Sequence, residues 1–284
     1  MFNMKIELKE YISGGAAAFT NIALTFPLNK TSFRQMVHGT SINHVIRQLY
    51  REGFRRLYRG SLPILGQQAI ARGVMFGNYA LFTRQIHALM PDMSPKTLLI
   101  SAAFMAGCTE ALLTPFERVQ VLLQDSKQHE HYKNTTDALH KLKIRFGINE
   151  FFRGTSAIIF RNGTSNVAFF YAKQLSKEHI PVYSEIQGNS NLDVRYKTIC
   201  TDFLTGAVIG AGVSTLFYPV NVVKTHMQLK VGGSFLKFRS VIYRILKERG
   251  VRGLWHGVHI NYSRSFISWG VINSTYELVN DWLT

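Results

Sequence analysis

The sequence predicts an all-α membrane protein with six transmembrane helices, arranged as three tandem two-helix repeats with pseudo-threefold symmetry. Three observations predict this fold class. The same landmarks recur three times along the 284 residues, 46% of the residues are hydrophobic while 18% are charged, and the formal net charge of +16 is concentrated in three segments. A mean hydropathy of +0.00 is typical neither of a soluble domain nor of helices that face only lipid.

A proline motif and a glycine motif divide the chain into three repeats. The prolines recur at intervals of roughly one hundred residues, at Pro27, Pro115 and Pro219. Each is followed by a motif with two glycines seven residues apart, which reads GFRRLYRG from Gly53, GINEFFRG from Gly147 and GVRGLWHG from Gly250. This period predicts repeat units at 1–92, 93–190 and 191–284 that pack into one integral bundle.

Each repeat is predicted to contain two long helices, an odd one before the glycine motif and an even one after it. The odd helices cover 9–38, 96–125 and 199–229, and the even helices cover 61–88, 155–179 and 258–282. All are long enough to cross about 30 Å of hydrocarbon with some tilt. Small residues one turn apart precede each proline and let membrane helices approach closely. These pairs are Gly14/Ala18, Ala102/Ala106 and Gly206/Gly210.

The excess positive charge lies between the odd and even helices. The segments 28–60, 116–154 and 220–257 together contain 22 basic and 7 acidic residues, which accounts for nearly all of the net charge. Charge of one sign on one side of a bilayer follows the positive-inside bias. Amphipathic stretches there, 43–51 and 241–249, are expected to lie at the membrane surface, where their basic residues are either solvated or in contact with anionic lipid.

Other classes of protein fit the sequence less well. A soluble nucleic-acid-binding protein would explain the charge, but not the repeated apolar segments. The two imidazoles of HEH, His129 and His131, lie in a polar loop without a clear third metal ligand, so we expect solvated surface and no metal site. Cys108 and Cys200 both lie in apolar stretches, which argues against a disulfide framework. The sequence has no clear nucleophile–base pair or phosphate-binding loop that would predict an enzyme.

The two motifs resemble those of the mitochondrial carrier family over the entire chain. That family repeats Pro-x-[Asp/Glu]-x-x-[Lys/Arg] and later an aromatic-[Lys/Arg]-Gly three times. The resemblance implies a multi-pass monomer of the inner mitochondrial membrane, with short matrix helices and both termini toward the intermembrane space. It also implies that cardiolipin binds at Tyr58–Gly60, Phe152–Gly154 and the variant Trp255–Gly257. No cofactor and no nucleic-acid partner are expected.

The resemblance implies a gate at the matrix end of the odd helices, where the prolines kink the helices and the charged positions pair between neighbours. The acidic positions hold Asn29, Glu117 and Asn221, and the basic positions hold Ser32, Gln120 and Lys224. Only Glu117 and Lys224 can form a full ion pair. Asn29 with Gln120 and Asn221 with Ser32 could at most exchange neutral hydrogen bonds, so we expect a weak gate. Gln124 and Gln228 match the glutamines that brace such gates, whereas the first repeat has Met36.

The family's substrate-contact positions lie seven residues after each glycine motif. Here they hold Gln67, Arg161 and Arg264, with Gln68 and Asn162 adjacent and Arg72 one turn beyond. Two guanidinium groups at one depth suit phosphate or carboxylate oxygens. Glu110, two turns before Glu117, is expected to project into the cavity, either toward a cationic part of the substrate or in an ion pair with an arginine.

A substrate with anionic oxygens and a cationic ring fits these residues. Stretches such as CTEALLTPFERVQVLLQD, GTSNVAFF and HINYSRSFISWGVINSTYE resemble the NAD-transporting branch of the family. The resemblance implies that NAD, with its two phosphates and pyridinium ring, is the transported substrate. A carrier for another nucleotide-containing anion, coenzyme A or an adenine nucleotide, is the alternative.

Overall fold

The structure, a computed structural model, describes residues 2–179, 192–268 and 271. All regular elements in this part of the chain are helical. The first repeat contains α1 (Phe2–His38), α2 (Ile42–Glu52), α3 (Phe54–Leu57) and α4 (Ser61–Leu89). The second contains α5 (Pro95–Thr109), α6 (Thr114–Gln124), α7 (Thr135–Phe146) and α8 (Thr155–His179). The third contains α9 (Leu192–Leu216), α10 (Tyr218–Leu229), α11 (Phe238–Arg249) and α12 (258–268).

Each predicted odd helix responds to its proline differently. The first stays continuous as α1, with Pro27 inside it. The second is broken, because a 3-10 turn at Glu110–Leu113 separates α5 from α6. The third ends at Leu216, and α10 then departs at 58°. Proline lacks an N–H and clashes with the carbonyl four residues earlier, so a kink or break at these positions is expected.

Two of these prolines leave the backbone carbonyl four residues earlier without an intrahelical donor, and a side-chain hydroxyl group donates a hydrogen bond to each of these carbonyls. In α1, the Tyr58 hydroxyl donates to the carbonyl of Ala23, four residues before Pro27, at 2.7 Å. The corresponding aromatic residue in the second repeat, Phe152, has no hydroxyl. There, the Thr114 hydroxyl donates to the carbonyl of Ala111 instead. A buried carbonyl is costly when unpaired, so the first and second repeats meet the same demand with different side chains.

Two described segments are long and apolar enough to cross a membrane by length and composition. One is Pro95–Gln124, which includes the 3-10 turn, and the other is the bent pair Leu204–Leu216 and Tyr218–Leu229. The helices α1, α4 and α8 are long enough for a span but do not pass the same test within the described residues.

The repeats contact one another in a closed cycle through the second glycine of each motif. Gly60, Gly154 and Gly257 have φ values of +92°, +86° and +88°, a region that favours glycine. Each lies against the odd helix of the next repeat: Gly60 against Gln124, Gly154 against Gln228, and Gly257 against Ser32 of the first repeat. The third repeat therefore closes back onto the first.

The closest packing between helices joins α5 to α8. Ala102, Ala103 and Ala106 are completely buried, and Gly107 meets the backbone of α8 directly. A Cβ atom on Gly107 would lie 2.4 Å from the carbonyl oxygen of Asn162. The predicted small pair Ala102/Ala106 is buried, and its neighbour Gly107 is the residue that has no space for a side chain against α8.

We predict that Gly107→Ala destabilises the protein, because the added methyl would meet rigid helix backbone. Overpacking of this kind costs about 1–3 kcal/mol or more. Thermal unfolding of the purified protein measures the effect. The matched control is Gly77→Ala in α4, where a Cβ would meet nothing within 4 Å and alanine is the better helix former. Equal unfolding temperatures for the two variants would contradict the close approach at Gly107.

Candidate functional site

One ion pair joins the second and third repeats where the odd helices converge. Lys224 Nζ on α10 donates to Glu117 Oε2 on α6 at 2.9 Å. The second carboxylate oxygen, Oε1, accepts a hydrogen bond from Gln67 Nε2 on α4 at 2.7 Å. Glu117 follows Pro115 in the first turn of α6, so the helix break aims its side chain toward the neighbours. The carboxylate is thereby held by residues from the first and third repeats.

The neutral gate positions are not paired in the way the sequence suggested. Ser32 donates to the carbonyl of Gly257 at 3.1 Å. Within the described part of the chain, no hydrogen bond joins Asn29 to Gln120 or Asn221 to Ser32. Among the described residues, one of the three gate pairs is therefore joined by a hydrogen bond and the other two are not.

The two predicted bracing glutamines are buried but do not contact the ion pair. Gln124 Nε2 and both amide atoms of Gln228 lack a hydrogen-bond partner among the described residues. Their side chains pack instead against Gly60 and Gly154. Gln67, which the sequence analysis placed among the substrate-contact residues, provides the hydrogen bond to Glu117. Its sequence position gave no indication of this contact.

Two cavities lie at the centre of the bundle. The upper cavity has a volume of about 370 Å³, and its wall includes Met75, Phe76, Asn166, Phe169 and Phe217. The gate cavity has a volume of about 190 Å³, and its wall includes Gln67, Gln68, Glu117, Gln120 and Lys224. Five residues line both cavities and therefore stand at their junction: Asn29, Arg161, Asn221, Asn261 and Arg264.

The two predicted arginines reach this junction with most of their donors unused. Arg161 Nη1 donates to Asn162 Oδ1 at 3.1 Å, and Arg264 Nη2 donates to Asn261 Oδ1 at 3.1 Å. Among the described residues, neither forms an ion pair with a carboxylate, and Arg264 Nε has no partner. Two guanidinium groups that form no ion pair among the described residues and face common space make a site for anionic oxygens.

Glu110 lies near this site but faces amides. Its Oε1 accepts from Asn166 Nδ2 at 2.7 Å, and its Oε2 accepts from Asn162 Nδ2 at 3.1 Å. It lines neither of the two cavities and forms no ion pair with an arginine among the described residues. The 3-10 turn that begins at Glu110 explains the difference, because it rotates the side chain away from the face that a continuous helix would give it.

Asn166 and Asn261 are cavity residues that the sequence analysis missed. Both could have been found by helical spacing, since Asn166 lies one turn after Asn162 and Asn261 lies one turn before Arg264. Gln68 lines the gate cavity as expected. The side chain of Arg72 lies outside the described residues.

A ring of charge-assisted contacts joins the repeats at the connector end, which we define as the end that contains α2, α7 and α11. Between the first and second repeats, His38 Nε2 lies 3.2 Å from Asp125 Oδ1. Between the third and first, Arg249 donates to the carbonyl oxygens of Val37 at 2.7 Å and Met36 at 3.3 Å. A cation at the C-terminus of α1 also complements the helix dipole.

The second and third repeats are joined by a buried cluster around Glu150. Glu150 accepts hydrogen bonds from Arg118 at 2.8 Å and from Arg153 at 2.9 Å. Arg118 also donates to the carbonyl of Lys230, and Arg153 donates to the carbonyls of 232, 233 and 234. Burial acts to raise the pKa of Glu150, but the Arg153 guanidinium, the Gly232 N–H and Arg118 outweigh it and hold the pKa below its ordinary value.

This cluster changes the interpretation of the predicted lipid motif. Arg153, the basic residue of Phe152–Gly154, is 2% exposed and its guanidinium is committed to Glu150 and to the loop after α10. Arg59, the basic residue of Tyr58–Gly60, donates to the carbonyl of His129 at 3.3 Å. Both side chains therefore stabilise contacts within the protein.

The histidine-rich loop is not arranged as a metal site. His129 Nδ1 lies 4.0 Å from Glu52 Oε2, and burial together with the positive charge of Arg59 lowers the pKa of His129 to about 4. Among the described residues, no group of three or more His, Cys, Asp or Glu side chains could hold a metal ion.

We predict that Glu150→Gln strongly destabilises the protein, because two buried arginines lose their counter-charge. Removing one partner of a buried pair costs about 3–5 kcal/mol. The measurement is thermal unfolding in detergent or liposomes, with Glu130→Gln as the control, since Glu130 is exposed in the neighbouring loop.

The same cluster predicts acid sensitivity. Because the folded pKa of Glu150 is depressed, its contribution is present above the unfolded value of about 4.3 and is lost as pH falls through the folded pKa. Unfolding temperatures that drop equally with acid in wild type and Glu150→Gln would contradict a role for this carboxylate.

Comparisons with known proteins agree with the threefold organisation. Residues 7–88, 92–184 and 196–284 each match the family model described as mitochondrial carrier protein. A human protein named mitochondrial nicotinamide adenine dinucleotide transporter is 43% identical over 277 residues, which are 96% of this chain and 89% of that protein. A mouse protein of the same name is 41% identical over 278 residues, with the same two coverages of 96% and 89%. A Dictyostelium discoideum protein named probable mitochondrial 2-oxodicarboxylate carrier is 27% identical over 252 residues, 87% of this chain and 81% of that protein.

Proposed function

Because this chain belongs to the mitochondrial carrier family, we propose that it transports NAD across the inner mitochondrial membrane into the matrix by alternating access. It is a mitochondrial membrane carrier and not an enzyme. The observation that carries the choice of substrate is the pair of arginines, Arg161 and Arg264, which face common space at the junction of two cavities without carboxylate partners among the described residues.

The pyrophosphate of NAD is the group proposed to meet these arginines. Each guanidinium can give two parallel hydrogen bonds to phosphate oxygens, and a site removed from bulk water strengthens such bonds. Gln67 and Gln68 add neutral donors to the wall of the gate cavity. Arg72, on the same helix, is proposed to contribute a further positive charge. The human and mouse relatives named as NAD transporters support this choice over other nucleotide anions.

The upper cavity is proposed to hold the bases of the dinucleotide. Met75, Phe76, Phe169 and Phe217 form an apolar wall, and Asn166 offers an amide in the same space. Flat rings stack well on aromatic side chains. Glu110 would act on a pyridinium ring from behind Asn162 and Asn166, as a negative charge one amide away.

The gate at Glu117 and Lys224 is proposed to face the matrix. The excess basic residues lie in the connecting segments at the same end of the odd helices, and the positive-inside bias assigns that end to the matrix. Both termini then lie toward the intermembrane space, as expected for six spans in three repeats. In this conformation the gate ion pair is formed, so the cavity would be open away from the matrix. A monomer with cardiolipin at the backbone amides of the glycine motifs completes the proposal.

We predict saturable uptake of labelled NAD into liposomes that contain the purified protein. Arg264→Ala should reduce this uptake at least about tenfold, because one charged bidentate contact is worth about 1.5–3 kcal/mol. Arg239→Ala, which removes an exposed arginine of α11 outside both cavities, should transport normally.

NADH, ADP and coenzyme A are tested as competitors in the same preparation. Uptake of ADP or coenzyme A in place of NAD would retain the carrier fold and overturn the proposed substrate. A selective loss of the oxidised dinucleotide in Glu110→Gln would support a role for the carboxylate near the pyridinium ring.

We also predict net uptake into liposomes that contain no internal substrate. The gate positions of the even helices, as the family would align them, hold no complete charge pair; they are Ala80, Gln174, Glu277, Thr83, Lys177 and Asn280. An empty carrier that faces the matrix therefore reopens in the other direction at little cost. The initial rates in liposomes with and without internal NAD should agree within about twofold. A strict requirement for internal NAD would show that the empty carrier cannot reopen and would contradict a weak gate.

A further inference from the structure

We infer that Gln67 couples substrate binding to opening of the gate, an inference that rests on the proposed function. Its side chain belongs to both the substrate site and the gate. It lies at the substrate-contact position of α4 and lines the gate cavity, and its amide nitrogen donates to the gate carboxylate of Glu117 at 2.7 Å. No other residue at the three substrate-contact positions touches the gate ion pair among the described residues.

The hydrogen bond from Gln67 has a specific role in the closed gate. Glu117 is 7% exposed and has two oxygens to satisfy. Lys224 occupies one oxygen and Gln67 occupies the other. The bracing position of the second repeat, Gln124, does not perform this task, since its amide nitrogen has no partner. Without Gln67, a buried carboxylate oxygen would lose its only described donor, which is costly.

An anion in the gate cavity would compete for the same amide. Arg161 and Arg264 line this cavity together with Gln67, so oxygens held by the arginines come within reach of the Gln67 side chain. A phosphate oxygen is a strong acceptor of an N–H, as is a carboxylate. Turning the Gln67 amide toward the substrate leaves Glu117 with Lys224 alone.

The charge of the substrate acts in the same direction. Arg161 and Glu117 line the same gate cavity, so the positive charge of Arg161 favours the carboxylate. A bound phosphate neutralises that charge and adds negative charge near Glu117. Substrate binding would therefore weaken the gate in two ways: it removes the hydrogen bond from Gln67, and it places negative charge near the Glu117 carboxylate. In an empty carrier, the hydrogen bond and the positive charge of Arg161 both remain.

Coupling requires one substitution to change two independent quantities. Gln67→Met keeps the length and flexibility of the side chain but removes the donor. We expect the substrate-free gate to open more often, because Glu117 loses a partner, and the NAD concentration for half-maximal response to rise, because the substrate loses a contact. A residue that only braces the gate would change the first quantity, and a residue that only contacts substrate would change the second.

The experiment uses the full chain in liposomes with Cys108→Ser and Cys200→Ser, and with Met36→Cys as a reporter. Met36 lines the gate cavity and is 4% exposed, so a membrane-impermeant thiol reagent added on the connector side reaches it only when the gate opens. Labelling is measured without NAD and over a range of NAD concentrations. In the otherwise unchanged chain, we expect slow labelling that NAD accelerates several-fold.

In Gln67→Met, we expect labelling without NAD to rise at least about threefold and half-maximal NAD to rise at least about threefold. Gln67→Glu should show both changes, with faster labelling than Gln67→Met, because a second carboxylate would face Glu117. Gln48→Met, on α2 and outside both cavities, is the matched control and should leave both quantities unchanged.

Each outcome supports or overturns the inference. A change in only one of the two quantities, or in neither, would contradict coupling through Gln67. Arg264→Ala separates this failure from failure of the proposed function, since it should raise half-maximal NAD whether or not Gln67 couples binding to the gate. If NAD fails to accelerate labelling and is not taken up even with Gln67 intact, the proposed substrate is wrong. Faster substrate-free labelling in Gln67→Met would then show a brace without a coupled substrate.

Discussion

The buried carboxylate of Glu117 is the constraint on which the centre of this protein depends. A charge in an enclosed site requires partners for both oxygens, and here the partners come from two other repeats, Lys224 from the third and Gln67 from the first. One side chain therefore holds all three repeats together at the gate. Removing Lys224 would leave the Glu117 charge unpaired, and removing Gln67 would leave one of its oxygens without its described donor, so the gate is a single unit.

Because the gate has one ion pair, other contacts must hold the three repeats together. The connector end supplies it through His38 with Asp125, Arg249 with the end of α1, and Arg118 and Arg153 with Glu150. These contacts join the same three pairs of repeats that the gate would join if it carried three ion pairs. Those involving the Glu150 cluster hold the ends of the odd helices and their loops, and can do so without lining the cavities.

Much of the fold could be predicted from the sequence because it follows from backbone chemistry. Prolines and glycines restrict or permit particular backbone angles, and the positive φ values of Gly60, Gly154 and Gly257 bear out the use of the motif as a landmark. Charge complementarity likewise predicted Glu117 with Lys224, since no other gate positions hold opposite charges.

The sequence did not predict contacts that depend on how a helix ends. A continuous helix would have aimed Glu110 into the cavity, but the 3-10 turn before Pro115 directs it to Asn162 and Asn166. Gln67 is a similar case, because a register that identifies a cavity position does not say which neighbour the side chain will meet. Amides bond to many groups, so their partners follow from packing, which a pattern of residue types does not contain.

The arrangement of charge around the cavity gives a direction to the mechanism. Arg161 and Arg264 line common space, and their only described hydrogen bonds are to neutral asparagines of their own helices. Two like charges there repel each other, so the empty site is electrostatically unfavourable and a dianion relieves the repulsion. The substrate therefore gains binding energy by removing the repulsion between the two arginines of the empty site. The positive charge of Arg161 also stabilises the Glu117 carboxylate, so a substrate that neutralises Arg161 destabilises the gate ion pair. In the loaded, closed carrier, the substrate site and the gate therefore cannot both be at their most stable.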